Sequence, residues 1–262
     1  MTWFEALILG IIQGLTEFLP VSSSGHLEIG KALLNVDIKE DLSFTVIVHF
    51  ATVLSTITVF FSEIKELIAG LFKFKWNAST KYISKILVSM IPVIFVGLFF
   101  AEEVESFFSG NLVTVGIALL FTAALLSLTF FFKSSGKKKL PFSDAFIMGI
   151  AQAVAVIPGI SRSGSTIATG LLLKNDREEV ARFSFLMVLV PIIGAAFIDI
   201  MSWKDSPAAE SVQISSLIIG FFAAYISGFM ACKWMISIVK KCKLIWFAVY
   251  CALIGAVAIL FA

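Results

Sequence analysis

The chain has 262 residues, of which 59% are hydrophobic and only 15% are charged. Its mean hydropathy of +0.99 lies well outside the range of soluble globular domains. The formal net charge of +2 provides no strongly basic surface, so nucleic acid is excluded as a partner and a membrane is the expected surrounding.

Two apolar segments, residues 3–34 and 145–173, are interrupted in the middle. Pro20 and a run of serines break the first, and Pro158 and Gly159 break the second. A helix needs about 20 apolar residues to cross a hydrocarbon layer roughly 30 Å thick, and each half is too short for that. Each interrupted segment is therefore predicted to be a re-entrant helical hairpin.

Six further runs are long and apolar enough to cross the membrane as helices. They cover residues 42–61, 83–100, 112–132, 183–201, 214–231 and 244–261. The predicted fold is an all-α integral membrane protein with six transmembrane helices plus two re-entrant hairpins, in a single membrane domain over residues 1–262.

The lysines and arginines indicate the orientation of these helices. If each hairpin returns to the side from which it entered, most of the 20 basic residues fall on one side of the membrane. Loops rich in Lys and Arg stay in the cytoplasm. Both termini are therefore predicted to be extracytoplasmic.

The two interrupted segments also resemble each other. Residues 5–34 align without a gap to residues 144–173, and the two share identical residues of several types. The most informative pairs are Gly10 with Gly149, Gln13 with Gln152, Ser22 with Ser161, Ser24 with Ser163, and Gly25 with Gly164. Three predicted crossings separate the copies, which predicts an inverted-topology repeat with halves of about 1–132 and 140–262. Such repeats bring their interrupted segments together near the midplane.

The second interruption has the composition of an anion-binding loop. Residues 158–166 combine flexible glycines with the hydroxyls of Ser161, Ser163 and Thr166 at the start of a helix. Arg162 adds a planar fork of donors that suits phosphate. Close helix packing would explain the small residues, but it would not explain an arginine at membrane depth.

The first interruption carries an acid and a histidine. Gln13 and Glu17 are four residues apart and share one helical face. The residues that follow are Pro20, Val21, Ser22, Ser23, Ser24, Gly25 and His26. A carboxylate inside a membrane needs a partner, and Arg162 is the expected one. A purely structural Glu17–Arg162 pair is the alternative, and His26 could likewise be only a hydrogen-bonded interior residue. His49 is interpreted as a packing residue.

Together the two loops offer the parts that phosphoryl transfer requires. Arg162 would hold the charge of the phosphate. Ser23 or His26 would attack phosphorus. Glu17 would act as a base or bind a divalent cation such as Mg²⁺ or Ca²⁺, because hard cations prefer oxygen ligands.

These residues resemble two motifs of the bacterial undecaprenyl-diphosphate phosphatase family. The first motif is matched by Gln13, Glu17, Pro20, Ser22, Ser23, Gly25 and His26, and the second by Pro158, Gly159, Ser161, Arg162, Ser163 and Thr166. Gln13 stands where many members of that family have Glu, so the resemblance does not establish Gln13 as a metal ligand. Chain length and helix number are also similar, so the resemblance covers essentially the whole chain.

The resemblance implies a multi-pass protein of the bacterial plasma membrane, with a site that faces the extracytoplasmic side. The implied reaction is hydrolysis of the polyprenyl lipid undecaprenyl diphosphate to the monophosphate, which recycles the carrier for cell-wall precursors. The implied catalytic residues are Glu17, Ser23, His26 and Arg162. The expected substrate contacts are Gln13, Ser22, Ser24, Gly25, Ser161, Ser163 and Thr166.

Two other interpretations compete with hydrolysis. Inverted repeats with broken helices are typical of transporters, so a polyprenyl-phosphate flippase is the main alternative. The Ser-Gly-His and Ser-Arg pieces also resemble the phosphatidic-acid-phosphatase type 2 superfamily, but that superfamily has a further histidine and none follows Arg162. The sequence leaves a homodimer open.

Overall fold

The computed structural model describes residues 1–36, 41–100, 103–104, 111–131, 139–203, 213–241 and 244–261, and excludes the side chains of 41–43, 195–203 and 240. Over these ranges the protein is helical and contains no strand. The eleven helices within them are α1 (Trp3–Phe18), α2 (Ser23–Leu34), α3 (Asp41–Val59), α4 (Phe61–Leu71), α5 (Ala78–Phe99), α6 (Leu112–Phe131), α7 (Phe142–Val154), α8 (Arg162–Leu172), α9 (Arg177–Trp203), α10 (Ile214–Lys240) and α11 (Ile245–Leu260).

Each of the six predicted spans falls on a helix, namely α3, α5, α6, α9, α10 and α11. Three of these helices, α5, α6 and α10, are long and apolar enough to cross a membrane by themselves. Helices α3 and α4 meet the same criterion together, although the chain bends by 75° between them. The all-helical class and several apolar helices are thus confirmed, whereas the full count of six spans stays a prediction.

Both interrupted segments consist of two short helices, as predicted. The first comprises α1 and α2, and the second comprises α7 and α8. The second helix of each pair begins with the same device: Ser22 Oγ accepts the N–H of Gly25, and Ser161 Oγ accepts the N–H of Gly164. These serines occupy equivalent positions in the internal alignment, and such N-caps satisfy donors that a helix start leaves free.

Helices from one half of the chain pack against helices from the other half. Helix α1 packs on α10, and α7 packs on α5, so the first helix of each hairpin lies against a long helix from the other half. Small residues make these contacts close. A Cβ at Gly14 would lie 2.0 Å from Ser227 Oγ, and one at Gly149 would lie 2.3 Å from the Ser89 carbonyl oxygen. Small residues at such crossings are typical of membrane helices.

Helix α6 contacts the loops of both interrupted segments. The N–H of Ser161 donates to Thr122 Oγ1 at 3.0 Å. Gly159 has φ +91° and sits so close to the helix that a Cβ there would lie 2.7 Å from Ala118 Cβ. Glycine is therefore required at this turn for both conformation and space. Val21 of the first loop is buried in a cluster that also includes residues of α6 and α11.

Large apolar side chains cover the outside of the helices. Leu98, Phe99, Phe222, Leu253 and Leu260 are each more than half exposed. A soluble monomer rarely exposes so much contiguous apolar surface. These faces are suited to contact with lipid acyl chains.

Candidate active site

The tips of the two interrupted segments contact each other directly. The N–H of Gly159 donates to Ser24 Oγ at 3.3 Å. Ser163 Oγ donates to the backbone carbonyl of Leu19 at 3.2 Å. The prediction that the two interrupted segments come together is therefore confirmed.

Glu17 lies at the centre of this junction, with its side chain only 7% exposed. Its Oε2 accepts hydrogen bonds from Ser23 Oγ at 2.6 Å and from Gln13 Nε2 at 2.9 Å. Its Oε1 lies 3.4 Å from Nη2 of Arg162. The expected pairing of Glu17 with Arg162 is confirmed, and so is the shared helical face of Gln13 and Glu17.

The local sequence explains how Ser23 reaches the carboxylate. Helix α1 ends at Phe18, one residue after Glu17, because Leu19 is extended before Pro20. Ser22 then adopts a positive φ of 71°, an uncommon conformation for a residue with a side chain. This turn reverses the chain, so that Ser23, the first residue of α2, points back to the last turn of α1.

Arg162 is the first residue of α8 and reaches the junction from the other half of the chain. The N-terminus of a helix carries partial positive charge, which adds to that of the guanidinium. Its side chain is 28% exposed, so the protein does not cover the group completely. The 3.4 Å ion pair with Glu17 is longer than a full charge-assisted hydrogen bond, which typically spans 2.7–2.9 Å.

A small cavity borders the ion pair. Glu17, Arg162 and Ser163 form one side of it, and Thr52 and Thr56 of α3 contribute hydroxyls nearby. The remaining wall is apolar and comprises Phe18, Val53, Phe185, Val188, Leu189 and Ile192. Charged and aliphatic surfaces therefore meet beside the site.

His26 is held by groups other than Glu17. Its Nδ1 lies 2.8 Å from the carbonyl oxygen of Ser22, and its Nε2 lies 2.8 Å from the hydroxyl of Tyr250. Ser23 is thus the candidate nucleophile that contacts Glu17. His49, on α3, lies with its Nδ1 2.8 Å from the Thr45 carbonyl. It also interacts electrostatically with Glu17, so its interpretation as a packing residue stays a prediction.

The other predicted contact residues serve partly as structural groups. Ser22 and Ser161 cap helices, and Ser24 accepts the N–H of Gly159. Thr166 is fully buried and its hydroxyl contacts Ser184 of α9 and the carbonyl of Arg162. Thr166 thus supports the turn that carries the arginine and is covered from solvent.

Sequence reasoning missed three residues that hold the site together. Tyr250 bonds His26, Ser184 bonds Thr166, and Thr122 bonds Ser161. None belongs to a motif, and each lies on a different helix from its partner, between 18 and 224 residues away in the sequence. The internal alignment offered no signal for them, since it covers only the two hairpins.

The donors at the junction have the chemistry that a hard divalent cation prefers. Glu17 supplies a carboxylate, and Gln13 Oε1 is a buried oxygen without a hydrogen-bond partner. Mg²⁺ and Ca²⁺ bind such oxygens, and Mg²⁺ often takes the rest of its ligands from water and substrate phosphates. Within the described residues no group of three His, Cys, Asp or Glu side chains is placed to hold a metal ion. The site fits a cation whose coordination a phosphate would complete.

The fold and the site define a class of protein. This is an all-helical, multi-pass membrane protein in which two interrupted segments join an acid, a serine and an arginine at one partly accessible junction.

The chain belongs to the family described as bacitracin resistance protein BacA, whose sequence profile matches residues 6–257. Two similar proteins named undecaprenyl-diphosphatase, from Parabacteroides distasonis and Bacteroides fragilis, are each 56% identical over 260 residues, which is 99% of this chain and 98% of each relative. A protein of the same name from Christiangramia forsetii is 53% identical and covers 100% of this chain and 99% of its own length. The family resemblance inferred from the two motifs is confirmed.

Proposed function

We propose that this protein hydrolyses undecaprenyl diphosphate to undecaprenyl phosphate and inorganic phosphate, and so recycles the lipid carrier of cell-wall synthesis. The observation that carries the proposal is the hydrogen bond from the Ser23 hydroxyl to Glu17, beside the guanidinium of Arg162. A hydroxyl, a base and an anion-binding group are the parts that phosphoryl transfer needs. The names of the relatives support the substrate.

In the first step, Ser23 attacks the terminal phosphorus. Its proton passes to Glu17, whose Oε2 is 2.6 Å from the serine oxygen. The bond between that phosphorus and the bridging oxygen breaks, so undecaprenyl phosphate leaves and Ser23 carries the phosphoryl group. The 2.6 Å contact favours Ser23 over His26 as the nucleophile.

In the second step, water attacks the phosphorus of phosphorylated Ser23. One proton of the water passes to His26, and the serine oxygen leaves with the proton that Glu17 had received. Inorganic phosphate is released, and His26 returns its proton to solvent. Both side chains thereby regain their starting protonation states.

Arg162 holds the terminal phosphate in this scheme. The guanidinium exchanges its long contact with Glu17 for phosphate oxygens, and the N-terminus of α8 adds partial positive charge. Ser24 is close enough to the junction to donate a further hydrogen bond. Ser163 could do so only by releasing the carbonyl of Leu19. Ser22, Gly25, Ser161 and Thr166 act chiefly by shaping the two turns.

A divalent cation, Mg²⁺ or Ca²⁺, belongs to the same proposal. Glu17 and Gln13 Oε1 would hold it, and it would supply charge neutralisation for the diphosphate. Gln13 also orients Glu17 through its amide nitrogen.

The proposal includes the arrangement in the membrane. Six helices cross the bacterial plasma membrane, and the hairpins α1–α2 and α7–α8 enter from opposite faces as an inverted repeat. The packing of helices from one half against the other supports this arrangement, because equivalent helices make equivalent contacts. The termini then lie outside the cytoplasm, and the site opens outward.

The decisive experiment measures phosphate release by the purified protein in detergent, with undecaprenyl diphosphate and Mg²⁺ or Ca²⁺. Ser23→Ala should lower turnover at least roughly a thousandfold and abolish the phosphorylated intermediate in rapid-quench trapping. Ser127→Ala is the matched control, because that hydroxyl on α6 donates to the Ala123 carbonyl of its own helix. It should behave like the parent.

A flippase would give a different result. If the parent protein releases no phosphate while proteoliposomes still translocate the lipid, the hydrolase proposal is wrong. If Ser23→Ala retains turnover and His26→Gln loses it together with the trapped intermediate, the histidine is the nucleophile.

A further inference from the structure

Tyr250, on the last helix, lies against His26 in two ways. Its hydroxyl is 2.8 Å from His26 Nε2, and the two rings stack with centroids 5.5 Å apart and an interplanar angle of 12°. The helix that carries it is also tied to the first loop, because Cys251 Sγ contacts the carbonyl of Pro20 at 3.6 Å. Tyr250 is therefore held next to the loop that carries the proposed catalytic residues.

The partner of the other ring nitrogen, Nδ1, determines which nitrogen of the neutral His26 ring carries the proton. Nδ1 lies 2.8 Å from the backbone carbonyl of Ser22, and a carbonyl can only accept. Nδ1 therefore carries the proton in the neutral ring, and Nε2 holds the lone pair. The Ser22 carbonyl also receives the backbone N–H of His26 at 3.2 Å, so one oxygen fixes both the helix start and the imidazole.

The hydroxyl of Tyr250 suits a nitrogen that gains and loses a proton. It donates to Nε2 while the imidazole is neutral. After Nε2 is protonated, the same oxygen can accept from it, because a phenol is both a donor and an acceptor. The contact thus survives proton transfer and keeps the ring in one orientation throughout.

We infer that Tyr250 holds the His26 ring and relays the proton to it: the phenol proton passes to the Nε2 lone pair while the phenol oxygen takes a proton from the attacking water. The inference rests on the proposed function, in which His26 receives a proton from water. Tyr250 acts through the histidine and is itself 41% exposed, at the edge of the site.

The test begins with Tyr250→Phe, which keeps the stacked ring and removes only the hydroxyl. Turnover should fall roughly tenfold with little change in KM, because one oriented hydrogen bond is lost and no substrate contact is removed. The pH at which the acidic limb of the kcat profile is half-maximal should also move. Tyr225→Phe is the matched control, since that hydroxyl on α10 contacts Thr58 Oγ1 at 3.1 Å. It should leave turnover and the pH profile unchanged.

A double-mutant cycle distinguishes action through His26 from a general effect. In a His26→Gln background, Tyr250→Phe should cause no further loss of turnover. If it costs as much there as in the parent protein, Tyr250 does not act through the histidine and the inference is wrong.

A spectroscopic measurement tests the same contact without any activity. The chain has only two histidines, so nitrogen-15 labelling of histidine in a His49→Gln variant reports His26 alone. The neutral ring should show a protonated Nδ1 and a hydrogen-bonded Nε2, and Tyr250→Phe should shift the Nε2 signal. A proton on Nε2 in the neutral parent, or an unchanged Nε2 signal in the variant, would overturn the inference even if hydrolysis is confirmed. If the parent releases no phosphate, the proposed function fails, and the tautomer is still measurable.

Discussion

Glu17 illustrates how the cost of burying a charge can be offset by groups that also do chemistry. A carboxylate in an apolar region needs compensation, and it receives two hydrogen bonds and an ion pair. Each partner has a second use in the proposed reaction. Ser23 attacks, Gln13 orients the carboxylate, and Arg162 can move to phosphate.

A conservative change at Arg162 separates a structural ion pair from a phosphate-binding group. Lysine keeps the charge opposite Glu17 but loses the planar fork. We expect Arg162→Lys to lower kcat/KM roughly 10- to 100-fold in the phosphate-release assay, with little change in melting temperature. Arg182→Lys is the control, because Arg182 forms an exposed pair with Glu178 on α9. Parental kcat/KM in Arg162→Lys would favour the purely structural pair.

At the scale of helices, the position of the second loop depends on how closely α7 crosses α5. Gly149 meets the backbone carbonyl of Ser89, and a Cβ there would lie 2.3 Å from that oxygen. Backbone cannot yield as a flexible side chain can. Any residue larger than glycine therefore has to push the two helices apart.

We expect Gly149→Ala to destabilise the protein by about 1–3 kcal/mol, as overpacking of a tight contact usually does. The measurement is the melting temperature in detergent, followed by phosphate release at a permissive temperature. Gly97→Ala on α5 is the control, because a Cβ there would meet nothing within 4 Å. Equal melting temperatures for the two variants would show that the crossing tolerates a wider separation.

The sequence predicted best those features that depend on residues close together in the chain. The break at Pro20 stops α1, and the four-residue spacing places Gln13 and Glu17 on one face. The pairing of Glu17 with Arg162 was also predictable, because a buried charge needs an opposite one.

Other features depend on tertiary contacts and left no local signal. Residues 62–71 lie between the predicted spans 42–61 and 83–100 and were assigned to neither, but they belong to helix α4, which follows a 75° bend. The apolar residues Ile64 and Leu67 of this helix are three positions apart, so they share one face, and that face packs against the neighbouring core. Tyr250 lies 224 residues from His26, and no local pattern in the sequence predicted their contact.

Each half of the chain contributes residues to the candidate active site, so neither half can form the site alone. The first hairpin supplies Glu17 and Ser23, whereas the second supplies Arg162. Helix α6 braces both loops, and α10 and α5 each hold a hairpin of the other half. An inverted arrangement requires that the hairpins enter from opposite sides of the membrane, which the placement of basic residues predicts.

Cysteine labelling of intact cells tests this orientation. In a Cys242→Ser background the remaining thiols, Cys232 and Cys251, are buried. We expect Gln213→Cys, at the start of α10, to react with a membrane-impermeant maleimide applied from outside. Lys75→Cys, between α4 and α5, should react only after the membrane is opened. Since these two positions flank helices that cross in opposite directions, a reversed labelling pattern would place the termini in the cytoplasm and turn the site inward, away from a lipid diphosphate presented at the outer surface.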